Sequence, residues 1–375
     1  MLEFQSLNWR IKMTYDKSLA LTSNEQRQLD LFFYYGHENH TRSYIDVDLL
    51  PRCFEGEGLK NLTQMKSIER QIEFRGKKIY LTYQAAPIKQ PDKTYKFSFP
   101  GKVEDHVYRA LRYLLVQRRR NGLSTNKNGK GLTLDFTIYE VRKHLWDFKK
   151  LNYNTQMIDE AIKILSNSVI QFEAEADNKK GAKQFSWLNV ETESLDINQD
   201  EKTSFRRVQF SNIEYESLEQ GKYIAVNYKL TSGLKTANER KILDYIFIKC
   251  RNANKRGDKK IDPKKDNPDL IISLETILQF GTINPRKELS KTISTIYKHF
   301  KDLKEQGFLI EIEKKLIKEV GDIGAPKYID CIWNIWLSDM LIEEIQQSLN
   351  EQKDRRDSDA LLRVNGIPKA HQRLK

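Results

Sequence analysis

The sequence predicts an α+β protein in which one arrangement of helices and strands occurs twice in tandem. The chain has 375 residues, which is room for two or three domains. It carries 17 Phe, 17 Tyr and 5 Trp, enough aromatic mass to build hydrophobic cores. Corresponding elements of the two halves lie about 135 residues apart, which indicates duplication. The predicted divisions are an N-terminal extension (1–95), a first unit (96–205), a second unit (206–342) and a flexible charged tail (343–375).

The extension contains three predicted elements. A helix begins at 22–25, a strand covers 44–50, and a hairpin over 71–83 turns at 75–78. Pro87 and Pro91 then break the pattern and mark a boundary.

The first unit is predicted from apolar residues that recur at helical or alternating spacing. Its elements follow in chain order: a strand at 95–100, a helix at 103–117, a short strand at 132–134, a short helix at 137–146, a third helix at 154–167, and strands at 170–174 and 185–190. A basic hairpin tip at 177–183 joins the last two strands.

The second unit repeats this order. A helix at 238–250 precedes a short strand at 270–272, a short helix at 274–280, a third helix at 286–306, and strands at 308–313 and 328–336. Pro285 suits the start of the third helix and Gly307 its end. A helix-turn-helix followed by a hairpin is the winged-helix arrangement, whose third helix usually enters the DNA major groove. We therefore expect two tandem winged-helix domains.

The charge balance points to an acidic partner. There are 64 Lys and Arg against 52 Asp and Glu, a net charge of +12. Such a balance favours nucleic acid, although many basic proteins bind none. Two loops add to it: 112–130 holds six basic residues and no acid, and 249–265 holds eight basic residues and two Asp. For 259–265 a solvated insertion is the favoured interpretation.

Other classes of protein are disfavoured. Cys53, Cys250 and Cys331 are far apart, which fits neither a disulfide framework nor a structural zinc site. No apolar run approaches the ~20 residues of a spanning helix, and no signal peptide is visible, so we expect a cytoplasmic protein without a membrane partner. The sequence has no P-loop, no GxSxG and no His-x-His, so we expect no enzymatic activity, cofactor or metal.

The two third helices differ in their polar faces. Helix 286–306 places Lys287, Lys291, Ser294, Lys298 and Lys301 opposite an apolar stripe, which suits phosphate contacts. Helix 154–167 presents Tyr153, Gln156, Glu160, Lys163 and Asn167, a mixture that suits base reading. Each face also fits an ordinary solvated surface, with Asn154 or Asn152 as a helix cap. The predicted DNA-binding residues are Arg118, Arg119, Arg120, Tyr153, Asn154, Gln156, Lys163, Lys179, Lys180, Lys183, Arg286, Lys287, Lys291, Ser294 and Lys298.

Residues 97–340 resemble the replication initiator protein A family of theta-replicating plasmids. The resemblance rests on four groups of residues: Phe99-Pro100 before 104–111, Phe136 to Val141, the pattern Asn154, Met157-Ile158, Ala161-Ile162 and Leu165, and the second-half segments 238–246 and 303–309. It implies a sequence-specific initiator that binds repeated origin sites (iterons), recruits the host initiator ATPase and replicative helicase, and represses its own promoter, often as a dimer.

Two other functions stay open. A winged-helix transcriptional regulator would share the fold, and directly repeated sites of about two helical turns beside the gene would favour the initiator over it. A rolling-circle nickase is disfavoured, because the only close histidine pair, His37 and His40, lacks the required spacing.

Overall fold

Helices and strands are mixed along the chain in an α+β arrangement. The computed structural model describes residues 40–44, 50, 52–54, 58–74, 77–120, 132–176, 179–193, 205–212, 214, 223–250, 262–281, 283, 288–319 and 327–350. Up to the middle of the chain the elements are β1 (His40–Tyr44), β2 (Ser67–Phe74), β3 (Lys77–Gln84), β4 (Ala86–Lys89), β5 (Tyr95–Ser98), α1 (Lys102–Arg120), β6 (Thr133–Thr137), α2 (Ile138–Lys149), α3 (Thr155–Asn167), β7 (Val169–Ala176), β8 (Lys179–Phe185), β9 (Leu188–Glu193) and β10 (Phe205–Phe210). They continue with β11 (Tyr223–Asn227), α4 (Tyr228–Ser232), α5 (Ala237–Lys249), β12 (Leu270–Ser273), α6 (Leu274–Phe280), α7 (Leu289–Glu305), β13 (Leu309–Glu319), β14 (Lys327–Leu337) and α8 (residues 339–350).

The two units each bury a hydrophobic core, as the sequence predicts. The first core centres on the completely buried Trp187, Leu111 and Phe136. The second centres on Trp333 and Phe300, whose rings lie 5.5 Å apart. Removing this apolar area from water is the main favourable term for each unit.

Local sequence signals set the helix boundaries. Thr137 caps α2 and forms a capping box with Glu140, and Asn154 caps α3 by accepting from the Met157 amide. Gly307 follows α7 with φ at 82°, a left-handed conformation that glycine adopts without steric cost. The predicted start of α7 at 286 differs from the structure, in which the helix begins at Leu289. Residues 284–287, including Arg286 and Lys287, lie outside the described residues.

The three strands predicted in the second unit are present and form one sheet. Its order is β12-β14-β13, and all pairs are antiparallel. The two long strands β13 and β14 form the hairpin that follows α7, and α7 packs on both.

The first unit's hairpin corrects the prediction. The strand predicted at 185–190 is not the partner of the one at 170–174; instead β7 pairs with β8, from Ala176 opposite Lys179 to Ile170 opposite Phe185. The basic residues of the predicted tip therefore lie within β8. β9 belongs to a different sheet, whose strand order is β6-β10-β9. Ser186 and the buried Trp187 separate the two strands, and burial of that ring places β9 on the core instead of on the hairpin.

Residues outside the predicted first unit complete its sheets. The hairpin β2–β3, which the sequence predicts within the N-terminal extension, pairs with β7 to give the order β2-β3-β7-β8. The predicted boundary at 205/206 falls at the first residues of β10, which pairs with β6 and β9 of the first unit. The predicted boundaries at 95/96 and 205/206 thus divide hydrogen-bonded sheets.

The chain after 342 begins as a helix. α8 covers 339–350, and Leu341, Ile342 and Ile345 are buried in the second core. The prediction of a flexible tail is therefore wrong for 343–350, because one apolar stripe holds this segment in place; residues 351–375 lie outside the described residues. The helix that is predicted to begin at 22–25 also lies outside the described residues. None of the helices in the described part of the chain has the length and apolar character needed to cross a membrane.

Candidate nucleic-acid interface

The exposed face of α7 carries a row of polar and basic side chains. Its buried residues are Thr292, Ile293, Ile296, His299, Phe300 and Leu303. Opposite them Lys291, Ser294, Lys298 and Lys301 are all exposed, as the helical spacing predicts. Lys291 makes an exposed ion pair with Glu288 at 2.9 Å, an interaction of small energy. Lys298 forms no ion pair with any residue that the structure describes.

A tyrosine extends this face onto the adjacent hairpin. The ring of Tyr297 lies beneath two ammonium groups, with Lys301 Nζ 4.9 Å and Lys314 Nζ 4.8 Å from its centroid. Lys314 is exposed on β13. A ring face attracts cations by about 0.5–1 kcal/mol at an exposed site, so one tyrosine holds two lysines from two elements together. We call Lys291, Ser294, Tyr297, Lys298, Lys301 and Lys314 the α7–β13 surface.

Three lysines of the α7–β13 surface, Lys298, Lys301 and Lys314, form no ion pair within the described part of the chain. Within that part neither Lys301 nor Lys314 has a carboxylate partner within 4 Å. Two ammonium groups on one ring repel each other, and an anion between or above them would relieve that repulsion. Ammonium groups are point charges that suit phosphate oxygens. The arrangement can therefore bind a polyanion along the helix and the hairpin.

Tyr297 and Lys314 are the residues that the sequence analysis missed. Tyr297 lies at the edge of the apolar stripe of α7, where spacing alone assigns it to neither face. Lys314 lies in a strand whose side chains alternate between the two faces of the sheet. This alternation predicts the face on which Lys314 lies, but it does not predict that α7 lies beside it.

The α3 face is exposed but narrower than predicted. Gln156, Glu160 and Lys163 are exposed, in agreement with the helical spacing. Ile164 is buried instead against Ala86 and Ile88 of β4, so the β4–β5 hairpin covers one flank of the helix. Asn167 donates to the Pro87 carbonyl at 3.2 Å, which fixes that end of the helix to the same hairpin. The sequence did contain a sign of this packing, because Ile164 is an apolar residue that lies outside the main apolar stripe of α3.

Two predicted α3 residues have structural contacts. Asn154 accepts from the Met157 amide at 2.8 Å, so its carboxamide oxygen is the helix cap. Tyr153 is half-buried, stacked on His106, with its hydroxyl 2.8 Å from His106 Nδ1. Burial raises the pKa of the Tyr153 hydroxyl. These contacts tie the start of α3 to α1.

The predicted arginines at the end of α1 are held in part by the protein. Arg118 donates to Glu140 at 2.7 Å, and Glu140 also belongs to the capping box of α2. Arg119 and Arg120 complete the last turn of α1, and the basic loop 121–131 that follows lies outside the described residues.

Lys179, Lys180 and Lys183 lie on β8, opposite β7. The structure thus places the predicted residues that it describes in four groups: the end of α1, α3 with the two residues before it, β8, and α7.

One group of potential metal ligands joins α7 to α5. Glu239, His299 and Asp302 bring their ligand atoms within 4.8 Å of one another. Glu239, however, already accepts from the Lys235 amide at 2.9 Å and from the Thr236 hydroxyl at 3.0 Å, as a cap of α5. The group therefore explains how α7 is held against α5. Both carboxylate oxygens of Glu239 already accept hydrogen bonds, which leaves them little capacity to bind a metal ion.

These observations define an α+β protein whose second unit exposes a basic helix next to a long antiparallel hairpin. No family model matches the chain, and no curated protein matches it. Among solved structures the chain is similar to domains 2 and 3 of RctB, with a TM-score of 0.42, 9% identity, and coverage of 82% of this chain and 98% of that one. It is also similar to the Pi initiator protein in complex with iteron DNA, with a TM-score of 0.34, 11% identity, and coverage of 64% and 96%. At these scores the likeness establishes neither fold nor function.

Proposed function

We propose that this chain is a plasmid replication initiator that binds double-stranded DNA at origin repeats through two winged-helix units. The α7–β13 surface is the observation that carries the proposal. It groups Lys301 and Lys314 around the Tyr297 ring, where the third helix of the second unit meets the hairpin, and Lys298 is exposed on the same helix. A helix with a basic outer face beside a hairpin suits the major groove and the phosphates that flank it.

The two units are proposed to make different kinds of contact with DNA. The α7–β13 surface contacts phosphates and supplies affinity that depends on salt. The α3 face, with Gln156 and Lys163 exposed, reads bases. The proposed activity needs no catalytic step: the bound chain opens the origin, recruits the host initiator ATPase and replicative helicase, and represses its own promoter. The family resemblance of 97–340 supports these last roles.

The test is a footprint of the purified chain on the DNA that flanks its own coding sequence. The initiator predicts protection of several direct repeats spaced by about two helical turns. A single protected palindrome over a promoter would favour the alternative, a transcriptional regulator. Cleavage of a supercoiled origin in the presence of a divalent metal would instead identify a nicking enzyme and overturn the proposal.

A further inference from the structure

Two buried ion pairs join α1 of the first unit to α5 of the second. Arg240 Nε donates to Asp105 Oδ2 at 2.6 Å, and Arg109 Nη2 donates to Asp244 Oδ2 at 2.6 Å. Each pair joins residues 135 apart. The same offset relates the first residue of α1, Lys102, to that of α5, Ala237. Each ion pair therefore connects equivalent positions of the two units.

The charges at these equivalent positions are inverted. The first position is Asp105 in α1 and Arg240 in α5, and the second is Arg109 in α1 and Asp244 in α5. Within α1 the Arg109 Nε also donates to Asp105 Oδ1 at 3.2 Å, so the contacts form one connected group of four charges. Equivalent buried positions of two copies usually keep the same kind of side chain. Here the charge at both positions has the opposite sign in the second copy.

Burial makes the sign of each charge matter. The exposed fractions are 2% for Asp105, 1% for Arg240, 2% for Asp244 and 9% for Arg109. Burial by itself would raise the pKa of the Asp105 carboxyl, but Arg109, Arg240 and Arg52 hold it well below its usual range. An ionised side chain in such a place needs an opposite charge beside it, because an uncompensated buried charge is strongly destabilising.

A second copy of α1 could not take the place of α5. In a symmetric contact residue i meets residue j and j meets i, and in the contact between α1 and α5 i and j are equivalent positions. Two α1 helices in this register would bury Asp105 against Asp105 and Arg109 against Arg109. Two α5 helices would do the same with Arg240 and Asp244. Only the pairing of unlike units brings opposite charges together, and repulsion in the wrong pair is an effective source of specificity.

We propose that Asp105, Arg109, Arg240 and Asp244 form a charge code that selects the second unit of this chain as the partner of the first and rejects pairing of either unit with its own kind. The partner that this surface fits is thus a helix with the inverted charge pattern, supplied in cis. The code fixes the relative placement of the two units, whichever ligand they bind.

Four full-length proteins of identical composition test the code. The first is the natural chain. The second carries D105R and R109D, which give α1 the pattern of α5. The third carries R240D and D244R, which give α5 the pattern of α1 and so create the like-on-like contact of a homotypic pair. The fourth carries all four changes and restores every opposite pair of the group with reversed polarity.

Denaturant unfolding without DNA is the measurement. We expect the two half-reversed chains to unfold at much lower denaturant, or in two separate steps, and the four-fold reversal to recover most of that loss. Recovery is incomplete because Arg52, 3.4 Å from Asp105, would then face an arginine. A matched control reverses the ion pair within the first unit, Arg207 with Asp135 at 2.6 Å, as R207D with D135R, and should leave a single transition near that of the natural chain.

Two results would overturn the proposal. Half-reversed chains that unfold like the natural chain would show that the charges select nothing. A four-fold reversal as unstable as the half-reversed chains would show that each position requires its particular residue instead of a charge pattern. A half-reversed chain that fails to fold, together with a four-fold reversal that folds, supports the code. None of these results bears on the proposed DNA binding, which is absent from the assay.

Discussion

The ammonium of Lys314 on β13 lies 4.8 Å from the ring centroid of Tyr297 on α7. The contact joins the hairpin of the second unit to its third helix. Lys301 occupies the same ring at 4.9 Å, so one aromatic side chain aligns charges from two elements.

Lys298→Ala and Lys314→Ala should each weaken binding to duplex DNA of any sequence. Each lysine is expected to neutralise a phosphate, so each substitution should lower the slope of log affinity against log salt by about 1. The measurement is a titration of one labelled duplex at several salt concentrations. Lys96→Ala, an exposed lysine on β5, is the matched control. An equal loss in the control would mean that only net charge matters.

Tyr297→Ala should lower duplex affinity about as much as Lys314→Ala, whereas Tyr297→Phe should retain most of it. A phenyl ring still attracts the two ammonium groups, and alanine leaves them without a common support. Fluorescence anisotropy with one duplex distinguishes the two substitutions. If the alanine variant binds like the natural chain, the ring does not organise the surface.

Gln156→Ala should relax preference at one base position. Gln156 is exposed on α3, and a bidentate contact to a base is worth about 1–3 kcal/mol of discrimination. The measurement is competition among duplexes that differ at single positions of the protected site. Unchanged affinity and unchanged preference would identify Gln156 as an ordinary surface residue.

Asn154→Ala should destabilise the fold instead of changing base preference. The Asn154 side chain caps α3 by accepting from the Met157 amide, and loss of such a cap costs about 0.5–2 kcal/mol. Urea unfolding measures the loss. Asn154→Asp, which keeps a capping oxygen, should retain most of the stability; altered base preference in the alanine variant at unchanged stability would contradict the assignment.

Glu239→Gln should change how stability depends on acid. Although burial opposes it, hydrogen bonds from His299, Lys235, Gln306 and Thr236 lower the pKa of Glu239 from 4.5 to about 2. The carboxylate therefore contributes stability that is full above about pH 4.5 and is lost as the pH falls towards 2. The difference in unfolding free energy between the natural chain and Glu239→Gln should shrink across that interval. Glu305→Gln, on the exposed surface of α7, should follow the natural chain throughout; a constant difference would mean that the carboxylate charge at 239 contributes nothing.

Periodic sequence patterns predicted the second unit well because all three strands of its sheet lie within the predicted boundaries. α6 is found at 274–280 as predicted, and the exposed residues of α7 follow from helical spacing alone. The sheet order β12-β14-β13 was not predicted, because Leu270 pairs with Ile335 across two intervening helices and a strand.

The first unit was harder to predict because its sheets join distant segments. β7 pairs with β3, where Ile170 lies opposite Tyr83, and no spacing rule connects residues so far apart. β10 follows a polar stretch that indicates a linker, yet Val208 and Phe210 belong to the first core. A fragment of the first unit cut at 96 and 198 would lose β2, β3 and β10, and with them parts of two sheets.

The charge group escaped prediction for a different reason. Asp105 and Arg109 are four residues apart on one helix, which by itself indicates an ordinary pair on the solvated face. Only the position of α5 shows that the pair is buried. Comparison of the two halves at a fixed offset would have revealed the inverted signs.

The offset of 135 between Asp105 and Arg240 also sets a delay during synthesis. A ribosome adds about 5–20 residues per second, so α1 waits on the order of ten seconds before its partner helix is made. During that time Asp105 has Arg109 and Arg52 beside it, whereas Arg109 still lacks its second carboxylate, that of Asp244. β1 waits longer still for most of its contacts, because its partner strand begins at Tyr223. α1 and β1 are therefore translated well before the helix and the strand that complete their contacts.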